Sequence, residues 1–507
     1  MKLKKLIIAI LTAAMVMSLG AGIAFAEGED GDITVGNTSA PVAFDMLLYG
    51  TPTQFQPLFE GLFDLNPVTG EIEPWLAESY EWVDECTLRV KLKDNVTFSN
   101  GAPLTAEDVI YSYKRHVDNA GIQSSNYAVF DFEKCAAEDD KTVLLVTSEP
   151  CGSLLMNLAK FTDIVCKEYY ENLNDADLWD HACGTGPYAL EENVSGSYTS
   201  FVLRDDYWDQ ENMPDIKHLT LQYYSELSTM LIDFENGDLD IVIGLDDSSV
   251  KHLESGEYPE GTLVVQNLNA VDYVILPEYV EEFQDSKVRE AIAHAVDWAV
   301  VADNAYGSLG VAATSVLPSS MEQYYKEEGT YEYDPELSKQ LLAEAGYENG
   351  FTIDTVCPGQ PAAQSMYETI QYYLSEVGIT LNYSVGEMSA VMPQVAMGQV
   401  NFFVLLCNSA PSVPDPTAVL EHQRADAMLG ACRITDEEYN QKYQDFIHNT
   451  DETARQEDMN WIQDWHKENC WTLPAAQSQF AYAYGPAVKD MHITSAMMSE
   501  LRFTELN

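Results

Sequence analysis

Basic residues are scarce in this sequence. Of its 507 residues, 26 are Lys or Arg and 82 are Asp or Glu, so the formal net charge is -56 at pH 7. Binding to DNA or RNA depends on clustered Lys and Arg side chains, and an acidic field of this size repels a phosphate polymer. The sequence therefore excludes nucleic acid as a partner. The charge is typical of a solvated surface that resists aggregation, an interpretation we favour over the concentration of cationic ligands.

Long apolar runs are absent after the N-terminus. Three lysines precede an apolar run over residues 7–19, and Ala24-Phe25-Ala26 matches a cleavage site, so residues 1–26 are predicted to be a secretory signal peptide. The mature chain would begin near Glu27. Because the apolar run is shorter than the ~20 residues that cross a bilayer, we expect an exported chain that is soluble after cleavage.

Signatures of catalysis and metal binding are also missing. The sequence contains no nucleophile elbow, no P-loop, no H-E-x-x-H helix and no His/Cys cluster with zinc-ligand spacing. The segment Gly184-Thr185-Gly186-Pro187 resembles a phosphate loop only superficially, because Pro187 removes a backbone donor. We therefore expect no enzyme activity, no metal and no cofactor. A secreted hydrolase stays a weak alternative, since paired carboxylates occur by chance among so many acids.

Cysteines are few and their number is odd. Nine cysteines in an exported chain leave at least one thiol unpaired or paired with another chain. Cys166 and Cys183 flank a polar stretch of 16 residues, where a disulfide is one possibility. We do not favour this disulfide from the sequence, and an anaerobic source would leave all nine thiols reduced.

The most informative segment that is present spans residues 72–117. Apolar residues alternate over Leu88–Leu92, which predicts a half-buried strand, and Ser99-Asn100-Gly101 supplies a turn. Thr105 stands three residues before Asp108, the spacing of a capping box, and apolar residues then recur at helical intervals. The segment is predicted to form a strand, a turn and a helix.

Four short and uncommon sequence motifs, here called words, follow one another along the first half of the chain. They are PWLAES at residues 74–79, NGAPLTAEDV at 100–109, GTGPY at 184–188 and RDDYW at 204–208. Together they resemble the extracytoplasmic solute-binding proteins of ABC importers, in the oligopeptide, dipeptide and nickel family. Many relatives carry a lipid-modified cysteine at the cleavage site, whereas the first cysteine here is Cys86.

The resemblance implies an α/β, two-lobed periplasmic-binding-protein-like fold with a hinge and an inserted α+β subdomain. The implied domains are lobe I over residues 27–54, 184–268 and 479–507, the inserted subdomain over 55–183, and lobe II over 269–478. The resemblance also implies ABC permease subunits as partners and a monomeric binding protein.

Strand and helix patterns alternate in the second half of the chain. Helices are predicted over residues 288–299, 334–346, 363–377, 389–397 and 439–468, and strands over 351–356, 379–385 and 402–407. This alternation of strands and helices favours right-handed crossover connections and a largely parallel sheet.

The loop after the strand 402–407 is the predicted ligand site, because ligands of open α/β sheets bind beyond the carboxyl ends of strands. Asn408 begins this loop. Peptide-binding relatives carry a tryptophan early in it and an amine-anchoring aspartate four residues before a proline. Counted from Pro416, these positions are Ser409 and Ser412. A serine cannot neutralise a buried ammonium group, so the departure disfavours an ordinary free-amine dipeptide.

Two further residues complete the candidate site. Asp415 could pair with a ligand amine. We favour about twofold the alternative that Asp415 caps the helix that starts at Thr417. Tyr273 is a candidate aromatic wall of the site, and core packing is an equal alternative.

The sequence and its resemblance together predict the solute-binding component of an ABC importer. A peptide-like solute is the first candidate ligand, because peptides are the commonest ligands in the family that the chain resembles. A carbohydrate or another polar solute is the alternative within the same scaffold.

Overall fold

The computed structural model describes residues 31–38, 47, 57–66, 71–119, 124–160, 164–173, 181–256, 261–407, 415–420, 423, 431–491, 501 and 504–507. The predicted signal peptide, residues 1–26, lies outside this part of the chain. So do three of the predicted site residues, Asn408, Ser409 and Ser412.

The described residues form twenty strands, numbered here in chain order. They are β1 Asp32–Asn37, β2 Phe63–Leu65, β3 Ile72–Pro74, β4 Ala77–Asp84, β5 Thr87–Leu92, β6 Ala136–Asp139, β7 Thr142–Val146, β8 Tyr188–Val194, β9 Tyr198–Leu203, β10 His218–Tyr223, β11 Ile241–Ile243, β12 Thr262–Asn267, β13 Asp272–Ile275, β14 Gly310–Ala312, β15 Phe351–Pro358, β16 Ile379–Gly386, β17 Phe403–Leu405, β18 Thr472–Tyr484, β19 Val488–Asp490 and β20 Glu505–Leu506.

The same residues form fourteen α-helices. They are α1 Ala106–Asp118, α2 Ser124–Tyr127, α3 Leu154–Lys160, α4 Lys167–Tyr170, α5 Leu227–Glu235, α6 Asp247–Glu254, α7 Ser286–Ala295, α8 Trp298–Tyr306, α9 Pro335–Glu344, α10 Pro361–Glu376, α11 Met388–Ala396, α12 Pro416–Leu420, α13 Glu437–His448 and α14 Glu452–Asn469.

The long strand β18 joins two halves of a ten-stranded sheet. Its first part, up to Ser478, pairs with β13 and β14, and its second part, from Gln479, pairs with β12 and β11. The sheet continues from β11 through β1, β10 and β9 to β8. The pairing of β18 therefore changes at the predicted lobe boundary, although the domain boundaries as a set remain predictions.

The strand and helix pattern of the second half of the chain predicted a largely parallel sheet, and this prediction holds for only part of that half, because the ten-stranded sheet is mixed. Within it, β1 is parallel to β10 and to β11, whereas the other pairs are antiparallel. In the second half, β13, β14 and β17 are antiparallel to their neighbours, because β18 returns from the C-terminal region and lies between earlier strands. A parallel pair also occurs between β15 and β16, outside this sheet.

Apolar residues collect in two large cores and a smaller one. One core draws on residues 271–476, and another combines residues 33–241 with part of the C-terminal segment. The smaller core packs Met230 and Phe234 of α5 against Val250 of α6, Leu309 and Ala481. This third core lies where the two halves of the sheet meet on β18, so it supports the connection between them.

Local signals in the sequence predicted several elements correctly. Helix α1 begins at the predicted capping box, in which Thr105 accepts from Asp108 N and Asp108 accepts from Thr105 N. The predicted helix over 288–299 is instead two helices, because Asp297 accepts from Ala299 N and caps α8. The predicted helix over 439–468 is also two, α13 and α14, the second capped by Asp451.

Two of the four sequence words meet at a buried carboxylate. Glu60 is fully buried, and one of its oxygens accepts from Trp75 Nε1 at 2.8 Å and from Tyr207 OH at 2.7 Å. Its other oxygen accepts from Trp208 Nε1 at 2.9 Å. Burial and the neighbouring Glu60 raise the pKa of Tyr207. The aromatic residues of the words PWLAES and RDDYW therefore hold the structure together around Glu60.

Arg204, the buried first residue of RDDYW, joins this word to GTGPY and to the segment just before NGAPLTAEDV. The guanidinium of Arg204 donates to four main-chain oxygens, those of Thr97, Phe98, Thr185 and Gly186. A Cβ on Gly186 would lie 2.4 Å from Pro57 O, so only glycine fits at this approach. The GTGPY word is thus a site of close backbone packing, and the resemblance rests mainly on residues that build the fold.

Candidate functional site

A cleft of about 510 Å³ lies beside β18, where its pairing partners change. It is lined by Gly244, Leu245, Asp246, Asp247, Leu268, Ala305, Tyr306, Gly307, Leu309, Ser478, Gln479 and Phe480. These residues come from the loop after β11 and the start of α6, from the end of α8 and the residues that follow it, from the segment after β12 and from the middle of β18. The cleft therefore draws its walls from both halves of the large sheet.

Asp247 bridges the two walls of this cleft. Its Oδ1 accepts from Ser308 N at 2.6 Å and from Ser308 Oγ at 2.7 Å, and its Oδ2 pairs with Lys251 Nζ at 2.8 Å. The hydrogen bonds from Lys251 and Ser308 lower the pKa of Asp247 to about 2. Gly307 has a φ of 59°, and a Cβ there would lie 2.3 Å from the Asp247 carboxyl carbon. A glycine at 307 is therefore needed for this contact.

Asp272 connects the cleft to the start of the predicted ligand loop. This buried carboxylate accepts from Tyr306 OH at 2.5 Å and from Cys407 N at 2.7 Å. Tyr306 lines the cleft, and Cys407 is the residue before the loop that begins at Asn408. Burial, followed by the charge of Asp272, raises the pKa of Tyr306, so its phenol stays protonated and donates. Asp272 thus orients both the cleft wall and the base of the loop.

Asp415 holds the other end of this loop. It is 3% exposed, its Oδ1 accepts from Thr417 N at 2.9 Å, and its Oδ2 pairs with Arg455. Arg455 also donates to Phe446 O at 2.9 Å and to Tyr324 OH at 3.0 Å. Burial opposes the charged guanidinium, but Asp415 and Tyr324 outweigh burial and raise the pKa of Arg455. These contacts favour the helix-cap interpretation of Asp415 over a direct contact with ligand.

Tyr273 lies in the core of the sheet. It is 1% exposed on β13, and its hydroxyl donates to Val316 O at 2.6 Å. Its burial raises its pKa well above the ordinary value. These facts favour the core-packing alternative, while a role for Tyr273 as a wall of the ligand site stays a prediction. Roles for Asn408, Ser409 and Ser412 also stay predictions.

The sequence did not point to Asp247, Asp272 or Tyr306. Asp246-Asp247-Ser248-Ser249 signals a helix N-terminus, and Asp246 does cap α6 by accepting from Ser249 N. The contact of Asp247 with Ser308 joins residues 61 positions apart, and that of Asp272 with Cys407 joins residues 135 apart. A local pattern carries no signal for such pairs.

The described part of the chain shows neither a metal centre nor a membrane-spanning helix. No group of three or more His, Cys, Asp or Glu residues there is arranged to hold a metal ion. None of the helices in that part of the chain combines the length and apolar character that crossing a membrane requires.

Comparisons with known proteins agree with this architecture. A dipeptide-binding protein of Escherichia coli K12 is 27% identical over 372 residues, 67% of this chain and 69% of the relative. Heme-binding protein A of Haemophilus influenzae is 26% identical over 375 residues, 68% of each chain. The crystal structure of the ABC transporter substrate-binding protein CtaP from Listeria monocytogenes superposes with a TM-score of 0.81 at 22% identity, covering 94% of this chain and all of that chain.

The predicted two-lobed α/β fold is confirmed by such structural neighbours. The family model for bacterial extracellular solute-binding proteins, family 5 middle, matches residues 71–427. Since this match extends over more than half of the chain, the chain belongs to the bacterial extracellular solute-binding proteins of family 5.

Proposed function

We propose that this chain is the extracytoplasmic solute-binding component of an ABC importer. It captures a peptide-like solute between its lobes and presents the closed form to the permease subunits. The observation that carries the proposal is the cleft beside β18, in a chain of this family, with walls from both halves of the sheet. A cleft that spans a hinge can close when a ligand contacts both walls.

The ligand loop is the second part of the proposal. The described residues at its ends, Cys407 and Asp415, are held by buried partners, Asp272 and Arg455. These contacts fix the positions of the two residues that flank the predicted site residues. We keep a peptide-like solute first, in line with the dipeptide-binding relative, and a carbohydrate or another polar solute second.

A thermal-shift screen against peptides, sugars and amino-acid derivatives tests this function. A ligand at a hundredfold excess over its dissociation constant should stabilise the protein by about 2.7 kcal/mol. The proposal expects a discrete hit without product formation. Product that accumulates with substoichiometric protein would show an enzyme instead, and the absence of any hit in all three classes would count against solute binding.

The Ser412→Asp variant tests the ligand loop. If the site accepts peptides, the new carboxylate should strengthen binding of free-amine peptides by about 1.5–3 kcal/mol, roughly ten- to a hundredfold. N-acetylated peptides are the control and should gain nothing. If the natural ligand is neutral, the buried carboxylate should weaken its binding. Unchanged affinities for every ligand would place position 412 outside the site.

We also propose that the protein is exported and acts as a monomer at the outer face of the membrane or in the periplasm. N-terminal sequencing of secreted protein should start near Glu27, and a retained Met1 would refute the signal peptide. Light scattering of the same sample should give the mass of a single chain.

A further inference from the structure

Cys166 and Cys183 lie against each other in the described structure. Cys166 N donates to Cys183 O at 3.4 Å, and the two residues are 2% and 1% exposed. A direct backbone hydrogen bond brings two Cα atoms within the range of about 4.4–6.8 Å that disulfides span. This backbone contact is therefore compatible with a disulfide between the two side chains.

The two thiol groups also contact each other. Cys183 donates a hydrogen bond to Cys166 Sγ, and Asn100 Nδ2 donates to the same sulfur at 3.6 Å. The hydrogen bond from Cys183 outweighs burial and lowers the pKa of Cys166, while the same bond and burial raise the pKa of Cys183. Cys166 is thus the thiol that ionises first, and the thiolate is the nucleophile in disulfide exchange.

The segments that carry these cysteines are docked on the strand, turn and helix unit at residues 87–118. Ser99 N donates to Gly184 O at 2.9 Å, next to Cys183. Lys167 N donates to Asp108 Oδ1 at 2.8 Å, next to Cys166. Asp108 belongs to the capping box of α1. A disulfide between Cys166 and Cys183 would therefore link the two cysteine segments to each other beside the start of α1, so that three chain segments are held together there.

We propose that Cys166 and Cys183 form a reversible disulfide in the exported protein. Both thiols are buried in the folded chain, so the reaction takes place when this region opens locally. The Cys166 thiolate then attacks one sulfur of a small-molecule disulfide or of a disulfide oxidoreductase, and one thiolate leaves. The Cys183 thiolate then attacks Cys166 Sγ in the mixed disulfide, and the second thiolate leaves. The two cysteines lose two protons and two electrons, and the oxidant becomes two thiols.

Peptide mapping tests this disulfide directly, because trypsin separates the two cysteines. Cleavage after Lys160, Lys167 and Arg204 yields peptides 161–167 and 168–204, each with a single cysteine. The native full-length protein is incubated with oxidised glutathione, its remaining thiols are alkylated, and it is digested without reductant. We expect the two peptides to be linked, with a mass lower than their sum by two hydrogen atoms. Separate alkylated peptides, or predominant links to other cysteines, would overturn the proposal.

Thermal unfolding provides a second, independent readout. The oxidised wild type should melt at a higher temperature than the same protein in reductant, because a crosslink restricts the unfolded chain. The variants Cys166→Ala and Cys183→Ala should lose this sensitivity to reductant, whereas the matched control Cys86→Ala should keep it. A wild-type melting temperature that reductant does not change would overturn the stabilising role. Neither readout depends on the ligand, so failure of the proposed transport function would not affect it.

Discussion

At Glu60, one buried carboxylate accepts from three aromatic side chains, and this arrangement predicts a large effect of a small substitution. The Glu60→Gln variant replaces one carboxylate oxygen, which accepts hydrogen bonds, by an amide nitrogen, which donates them. This nitrogen would face at least one of the three aromatic donors. We expect the free energy of unfolding to fall by about 1–3 kcal/mol, because a buried donor loses its partner. Urea unfolding followed by tryptophan fluorescence measures it. The exposed control Glu73→Gln should change stability by less than about 0.5 kcal/mol, and equal effects of both variants would contradict the prediction.

Asp415 offers a second test at the same scale. Asp415→Asn leaves the Arg455 guanidinium buried without its carboxylate, and removing one partner of a buried pair costs about 3–5 kcal/mol. We expect this loss in the free energy of unfolding of the ligand-free protein, measured by urea unfolding. A variant that keeps its stability but loses affinity for free-amine peptides would show that Asp415 contacts the ligand.

Glu328 should make stability depend on pH. Burial, followed by a hydrogen bond with Asp464, raises the pKa of Glu328 to about 7, although Lys326 at 3.4 Å opposes the shift. The folded state therefore retains a proton between the unfolded pKa near 4.5 and pH 7, so stability from this group is lost as pH rises through that window. Glu328→Gln mimics the protonated form, and its stability relative to wild type should rise between pH 5 and pH 8. The exposed control Glu336→Gln should show no such trend, and a flat difference for Glu328→Gln would contradict the assignment.

At the level of secondary-structure elements, the loop before α3 docks on the C-terminal end of α13 and on the turn that follows it. Gly152 N donates to Ile447 O at 2.9 Å, and His448 lies 3.1 Å from Glu149. A Cβ on Gly152 would lie 2.0 Å from Arg455 Nη1 and 2.2 Å from Asn449 O. This contact joins the predicted inserted subdomain to predicted lobe II, and it leaves no room for a side chain.

Gly152→Ala should therefore disfavour this docked arrangement. If docking accompanies closure on the solute, we expect weaker ligand binding and a larger radius of gyration at saturation. Calorimetry and small-angle scattering measure these quantities. The neighbouring variant Cys151→Ala keeps the glycine and serves as the control. Binding by Gly152→Ala at wild-type affinity would mean that this contact plays no part in closure.

At the scale of the whole molecule, two sheet halves joined by β18 and the segment 268–271 should move as a hinge. Scattering with and without the screening hit should show a smaller radius of gyration in the bound state, because the lobes close around the cleft. Asp247→Asn weakens a contact across that cleft and should change the ligand-free curve without removing the ligand-induced decrease. An unchanged wild-type curve at saturation would contradict a hinge while leaving binding intact.

Features that depend on neighbouring residues could be predicted from the sequence alone. The capping box at Thr105 and Asp108 forms as predicted, since both partners lie within one helical turn. Helix α9 begins after Asp334 at Pro335, as predicted, because a capping side chain and a fixed φ favour a helix start. The order of the four words also identified the family, because these residues build buried contacts that the fold requires.

Contacts between residues far apart in the chain could not be predicted in this way, because they depend on how the elements pack. Apolar periodicity reports which face of a strand is buried but not its partner, so the antiparallel insertion of β18 was missed. The donation of Trp208 to Glu60 spans 148 positions, and the contact between Cys166 and Cys183 depends on how two segments dock on α1. The cleft arises in the same way, since Asp247 meets Ser308 only after both halves of the sheet have assembled on one strand.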